Sequence, residues 1–290
     1  MSRIIFSSII FLIHSATITA QTDFSKDESH LSFYADVLVN ADSGIHRDKA
    51  NQVFYQDLKN ILQKAGSFDH DFSSIKWVSF QYPADRSFRF ITWQLKSTDD
   101  DYDYFGFFQD RDQVIELKST VDYSKSLSSQ SLDAQQWYGR LIYDMVPIED
   151  QGEKYYLLFG FRQLDQYNKT KVIEVLHIDK GKPSFGSPMF NKGTGDQHMQ
   201  RLAFLYSADA VLNVDYNPGL KMLVYDHLVQ RMGRIPGQGP TYLPDGSYEA
   251  YKLEAGEWVY VEQLYNDIIE KPRDSSPKRK VDILGRAKNN

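Results

Sequence analysis

Trp137-Tyr138-Gly139-Arg140-Leu141-Ile142-Tyr143-Asp144-Met145, then Glu149-Asp150-Gln151-Gly152, then Tyr155-Tyr156-Leu157-Leu158-Phe159-Gly160-Phe161 is the stretch that decides the fold. Two apolar, aromatic runs are joined by a cluster of turn residues too short to hold a crossover helix, so the runs must lie antiparallel. The second run is apolar at every position, which predicts a central strand covered on both faces.

The same texture extends in both directions. Candidate strands are Trp77–Tyr82, Phe88–Leu95, Tyr102–Phe108, Val114–Lys118, Trp137–Met145, Tyr155–Phe161, Lys171–Ile178, Arg201–Tyr206, Ala210–Tyr216, Leu220–Leu228, Tyr248–Leu253 and Trp258–Val261. They are punctuated by Pro83-Ala84-Asp85, Asp179-Lys180-Gly181-Lys182, Asn217-Pro218-Gly219 and Glu254-Ala255-Gly256, all hairpin chemistry. The fold class expected is therefore mainly β: antiparallel, hairpin-rich sheets forming a sandwich, an open barrel or an irregular propeller. Within Leu220–Leu228 the alternation puts Tyr225 and His227 on one face with Lys221 and Leu223, opposite Met222, Val224 and Leu228.

Upstream of the strands the period changes to that of a helix. Ala50, Val53, Phe54, Leu58, Ile61, Leu62 and Ala65 recur at three- and four-residue steps before Gly66, and a shorter candidate runs through Leu31, Tyr34, Val37 and Leu38. An N-terminal α-helical segment is expected to pack on the sheets.

The two ends read differently from the body. Arg3, the apolar run Ile4–Ile13 and the small residues up to Ala20 have the layout of a signal peptide cut before Gln21. Ten apolar residues span only ~15 Å as a helix, half of a ~30 Å hydrocarbon core, which favours a cleaved signal over an anchor and predicts no transmembrane segment in the mature chain. Residues 271–290 are crowded with lysine and arginine around Pro272, Ser275, Ser276 and Pro277, and read as a disordered tail. The expected organisation is a signal at 1–20, a helical segment at 21–75, an antiparallel β domain at 76–265 and a tail at 266–290.

Composition narrows the function classes. The chain has no cysteine, which excludes a disulfide framework and lipid attachment through an N-terminal Cys. Its net charge is −6, and because the tail is basic the body is more acidic still; a nucleic-acid surface needs a basic stripe, so no nucleic-acid partner is expected. Aromatic residues make up 14%, with 19 Tyr and 18 Phe, an excess that suits pleated surfaces better than helices.

Several segments together resemble a group of uncharacterised secreted proteins from Bacteroidetes bacteria. They are Ala50-Asn51, Ser67-Phe68, Phe72-Ser73-Ser74, Phe88-Arg89-Phe90-Ile91-Thr92-Trp93-Gln94, Trp137-Tyr138-Gly139, Tyr156-Leu157-Leu158-Phe159-Gly160, Lys171-Val172-Ile173-Glu174-Val175-Leu176, Phe185-Gly186 with Pro188 and Phe190, Tyr225-Asp226-His227-Leu228 and Pro244-Asp245-Gly246-Ser247-Tyr248. The likeness spans about residues 50–260, with Phe161 where the group would carry Trp after Gly. It implies an envelope or secreted location and no assigned activity.

Chemistry-bearing residues are sparse. Asp99, Asp101 and Asp103 alternate like calcium ligands, but an EF-hand loop counted from Asp99 would need Gly and Glu where Tyr104 and Asp110 stand. His177, His198 and His227 show no metal-pair spacing, so neither metal nor cofactor is expected. Gly193-Thr194-Gly195-Asp196 lacks the strand, helix and Lys of a phosphate loop. His227 follows Asp226, and strand alternation sends their side chains to opposite faces.

Three functional expectations follow. The first is a non-catalytic exported protein with a binding or structural role in the cell envelope, its partner an envelope glycan or protein. The second is a polysaccharide or peptide hydrolase assembled from distant loops, with Asp144, Asp226, Asp245 and His227 as candidate catalytic residues; facing carboxyls ~5–10 Å apart would mark a glycosidase. The third is a glycan-binding module, with Trp137, Tyr138, Trp258 and Tyr260 as candidate stacking rings.

Overall fold

A computed structural model describes residues 23–97, 101–119, 130–193 and 198–264. The proposed signal, the basic tail, Asp99 and the Thr194-Gly195-Asp196 segment lie outside the described residues.

The chain starts with α1 (Ser25–Asn40) and α2 (Gly44–Leu62). Each presents one apolar stripe inward, Leu31, Ala35 and Leu38 from α1 and Ala50, Phe54, Leu58 and Ile61 from α2. Both stripes lie on an antiparallel sheet of β1 (Ser79–Gln81), β2 (Arg89–Lys96), β3 (Tyr102–Gln109) and β4 (Val114–Leu117). Strand alternation then divides the labour within β2: Ile91, Trp93 and Leu95 meet the helices, while Phe90 turns to the opposite face. The one polar atom of Trp93 is answered across this interface, its indole N–H donating to Asn51 Oδ1 at 2.8 Å.

The second sheet contains β5 (Leu132–Asp133), β6 (Leu141–Asp150), β7 (Glu153–Gln163), β8 (Asn168–Asp179) and β9 (Lys182–Phe185), in the order β5-β9-β8-β7-β6, with β12 (Arg201–Ser207) also paired to β8. The third contains β10 (Phe190–Asn191), β11 (His198–Met199), β13 (Val214–Asn217), β14 (Met222–Met232), β15 (Pro240–Glu254) and β16 (Glu257–Leu264), in the order β11-β10-β16-β15-β14-β13. Among the described residues the strand ladders are antiparallel except β10 with β16.

The layers stack as helices, first sheet, second sheet, third sheet. The second sheet is apolar on both sides: Tyr156, Leu158, Val172 and Leu176 face the first sheet, whereas Tyr155, Leu157, Phe159, Ile173 and Val175 face the third. That double burial is why β7 carries an unbroken apolar run. The expected β class with N-terminal helices is thus the observed one, realised as stacked sheets. Gln151-Gly152, Lys180-Gly181 and Ala255-Gly256 each place two successive residues at positive φ, the backbone that two-residue type I′ hairpins require.

The strand boundaries differ from expectation in two ways. β5, β9, β10 and β11 have only two to four residues, too few to show a period. The hairpin of β14 and β15 runs on to Met232 and back from Pro240, where exposed Gln230, Arg231 and Met232 pair with a strand in which buried Thr241 and Leu243 alternate with exposed Pro240 and Tyr242, so no apolar run marks it.

Three buried guanidinium groups anchor the layers. Arg89 is fully buried and donates to Gln109 Oε1 (2.8 Å), the Ser67 carbonyl (2.9 Å), the His70 carbonyl (2.8 Å) and Tyr82 Oη (2.6 Å), pinning the loop after α2 to β2. Between the first and second sheets, Glu174 receives Arg140 on one oxygen and Arg201 Nε on the other at 2.7 Å, and all three side chains are wholly buried. No helix among the described residues is long and apolar enough to cross a membrane.

Candidate functional site

The long β14–β15 hairpin reaches past β12, and the two leave an open groove of about 530 Å³ between them. Its floor is set by a break in the ladder. Asp226 pairs with Tyr248 and Leu228 with Pro244, so Asp245-Gly246-Ser247 bulges outward opposite His227 alone. Proline has no N–H for the ladder and Gly246 takes φ 92°, so this stretch is built to interrupt pairing. A bulge re-aims side chains, and here it brings Asp245 against His227.

His227 Nδ1 lies 3.0 Å from Asp245 Oδ2, and its Nε2 lies 3.9 Å from Glu249 Oε1. Asp245 also accepts from the Ser247 backbone N–H at 2.9 Å and the Ser247 hydroxyl at 2.7 Å. The Ser247 hydroxyl and N–H, with His227 behind them, hold the Asp245 carboxyl well below the usual range, so it is ionised near neutral pH.

Glu249 sits at a second register shift, between Tyr248 and Ala250 against β16. It accepts a hydrogen bond from Tyr260 Oη at 2.5 Å, and the Tyr225 phenol lies close enough to feel its charge. Burial, with the Glu249 charge beside them, raises both phenols, and Tyr251 is pushed up to about 12 for the same two reasons. The tyrosines therefore remain hydroxyl donors. Their rings form a continuous aromatic wall: Phe204 and Tyr225 are 4.5 Å apart between centroids, Tyr225 and Tyr251 6.2 Å, Tyr251 and Tyr260 5.5 Å. Tyr242 adds an exposed ring to the lining, and Lys192 adds an ammonium.

Of the residues singled out from sequence, His227, Asp245 and Tyr260 come together here. Asp226 does not join them. It is buried on the other face of β14, where its Oδ2 accepts from Asn213 N at 2.7 Å and Asn213 Nδ2 at 2.9 Å and so fixes the approach to β13. Asp144 is exposed on β6 and accepts from the backbone N–H of Met145 at 2.7 Å. The three aspartates named for a hydrolase thus have three separate sets of partners.

Trp137, Tyr138 and Trp258 require correction as stacking rings, because all three are wholly buried. Trp137 and Tyr138 fill the space between the first and second sheets, and Trp258 that between the second and third. Three stacked sheets create two dry interfaces, and the largest rings are consumed in filling them. Asp101 and Asp103 are exposed, and among the described residues no group of three or more His, Asp or Glu side chains is placed to hold a metal ion.

Glu249, Tyr225, Tyr242, Tyr251 and Phe204 were missed as site residues. The shared face of Tyr225 and His227 was readable from alternation, but their cross-strand neighbours depend on the bulge. Comparison of the chain with family models, curated proteins and solved structures finds no match, so the groove is interpreted from its own geometry.

Proposed function

We propose that this protein is an exported, non-catalytic binding protein of the cell envelope that holds a glycan in the groove between β12 and β14–β16. The observation carrying this reading is the combination of an aromatic wall with acceptor groups on one open surface. Sugar rings offer apolar C–H faces that lie on aromatic rings, and hydroxyls that donate to carboxylates. Phe204, Tyr242 and Tyr260, the rings of the lining that keep exposed surface, supply the first need, and Glu249 the second. Support for an envelope setting comes from the signal-like residues 1–20 and from the likeness to secreted Bacteroidetes proteins.

A glycan array probed with the mature chain tests the binding reading. Hits on envelope-type polysaccharides that vanish in Tyr242→Ala, with the fold intact by circular dichroism, are expected. An array without hits from folded protein overturns it. Export is tested separately by fractionating cells that express the full chain and measuring the mass of the product, expected to start near Gln21.

A further inference from the structure

We infer that the groove selects a sugar bearing a free amino group, recognised as its ammonium form by Glu249. This inference rests on the glycan-binding reading and narrows it. Asp245 and Glu249 both have their ion-pair contacts with His227, one imidazole between two carboxylates. Of the two carboxylates, Glu249 is the one that lines the groove, and no ion pair joins it to Lys192 of the same lining. Its side chain is 19% exposed, so water screens its charge less than at an open surface.

The rings strengthen the same preference. Tyr260, partly exposed in the lining, places its ring beside Glu249, and a cation over such a face gains from the ring quadrupole. The Tyr260 hydroxyl is already committed to Glu249 as a donor. The carboxylate is thereby fixed in position, and an incoming ammonium meets a charge that needs no reorganisation. A neutral N-acetyl group would bring an amide to the same place and leave the negative charge uncompensated.

Calorimetric titration of the mature chain with a β-1,4-linked glucosamine tetramer and with its N-acetylated counterpart, near neutral pH, tests this. The backbone and stacking faces are shared, so the charge is the variable. The glucosamine tetramer is expected to bind about tenfold tighter, the size of one charge-assisted hydrogen bond, and the preference is expected to shrink as salt is added. Glu249→Gln keeps the shape and is expected to abolish the preference while retaining binding of the N-acetylated tetramer. Equal affinity, or tighter binding of the N-acetylated form, overturns the ammonium inference and leaves glycan binding standing. A preference that survives Glu249→Gln overturns the role of Glu249. Binding of neither tetramer, with a glycan array also blank, overturns both readings together.

Discussion

Glu174 and Glu249 are both strand glutamates within the β body, and they are held in opposite ways. Glu174 is sealed between the first and second sheets, with a guanidinium on each carboxylate oxygen and every side chain of the trio wholly buried. Glu249 lines a groove, its side chain 19% exposed, and it is held by the Tyr260 hydroxyl with His227 3.9 Å away. Where water is excluded, an ionised carboxylate persists only against full cations; where water reaches it, neutral donors suffice. The open arrangement leaves charge over for a ligand, and the sealed one spends its charge on holding the layers together.

The sealed trio is where the contrast breaks most visibly. Glu174→Ala leaves Arg140 and Arg201 buried without a counter-charge, and a loss of about 3–5 kcal/mol in urea unfolding is expected. A loss below about 1 kcal/mol would show that water reaches the trio, and the distinction from Glu249 would fall.

The trio also carries one arginine more than its carboxylate can neutralise. Arg140 Nε and Nη1 make no hydrogen bond, and burial pushes its pKa down. Arg140→Met leaves the Arg201–Glu174 pair intact and replaces a desolvated cation by a flexible apolar chain, so it is expected to cost less than Glu174→Ala. Gly160 sharpens the point: a methyl there would run directly into the Arg140 side chain. Gly160→Ala should cost about 1–3 kcal/mol alone and clearly less in the Arg140→Met background. Additive losses in that double mutant would show that the two positions are not in contact.

What was readable from sequence follows the same divide. The hairpins announced themselves through Gln151-Gly152, Lys180-Gly181 and Ala255-Gly256, because turn chemistry is local. The helices were readable because α2 carries its apolar stripe in register. Glu174 was not readable as a buried charge: it stands in Val172-Ile173-Glu174-Val175-Leu176, and nothing local says that Arg140 and Arg201 arrive from other strands. Trp137 and Trp258 were misjudged for a related reason. Whether a strand aromatic is core or surface depends on how many sheets stack on it, a property of the assembled layers. In the groove, the common face of Tyr225 and His227 came from alternation alone, whereas Glu249 reached the site through register shifts in β15; Pro244 and Gly246 signal a break there, but not which side chains it brings together.

At the open site the effects should be smaller. Tyr260→Phe removes one donor from Glu249, and water can replace it, so about 1 kcal/mol or less is expected in unfolding. Its effect on glycan affinity should exceed its effect on stability, because a carboxylate released from its phenol is less well placed for the ligand. The reverse order, a stability loss comparable with Glu174→Ala, would mean that Glu249 belongs structurally with the buried trio.

The smallest expected effect is the most specific. Asp245 is held below its ordinary pKa by Ser247 and His227, so the folded chain takes up the carboxyl proton at a lower pH than the unfolded chain does. Its interactions therefore add stability above the usual carboxylate range, and that contribution disappears as pH falls through the depressed value. Unfolding of the native chain and of Asp245→Asn, compared from neutral to acidic pH, should show a small native advantage that shrinks on acidification. Because the bulge exposes the group to water, the difference stays modest at every pH. An advantage that grows with acid would mean that the fold raises the Asp245 pKa above its unfolded value instead of lowering it. The hydrogen bonds from Ser247 and the contact with His227 would then not favour the charged form, and the bulge would not be held by an ionised carboxylate.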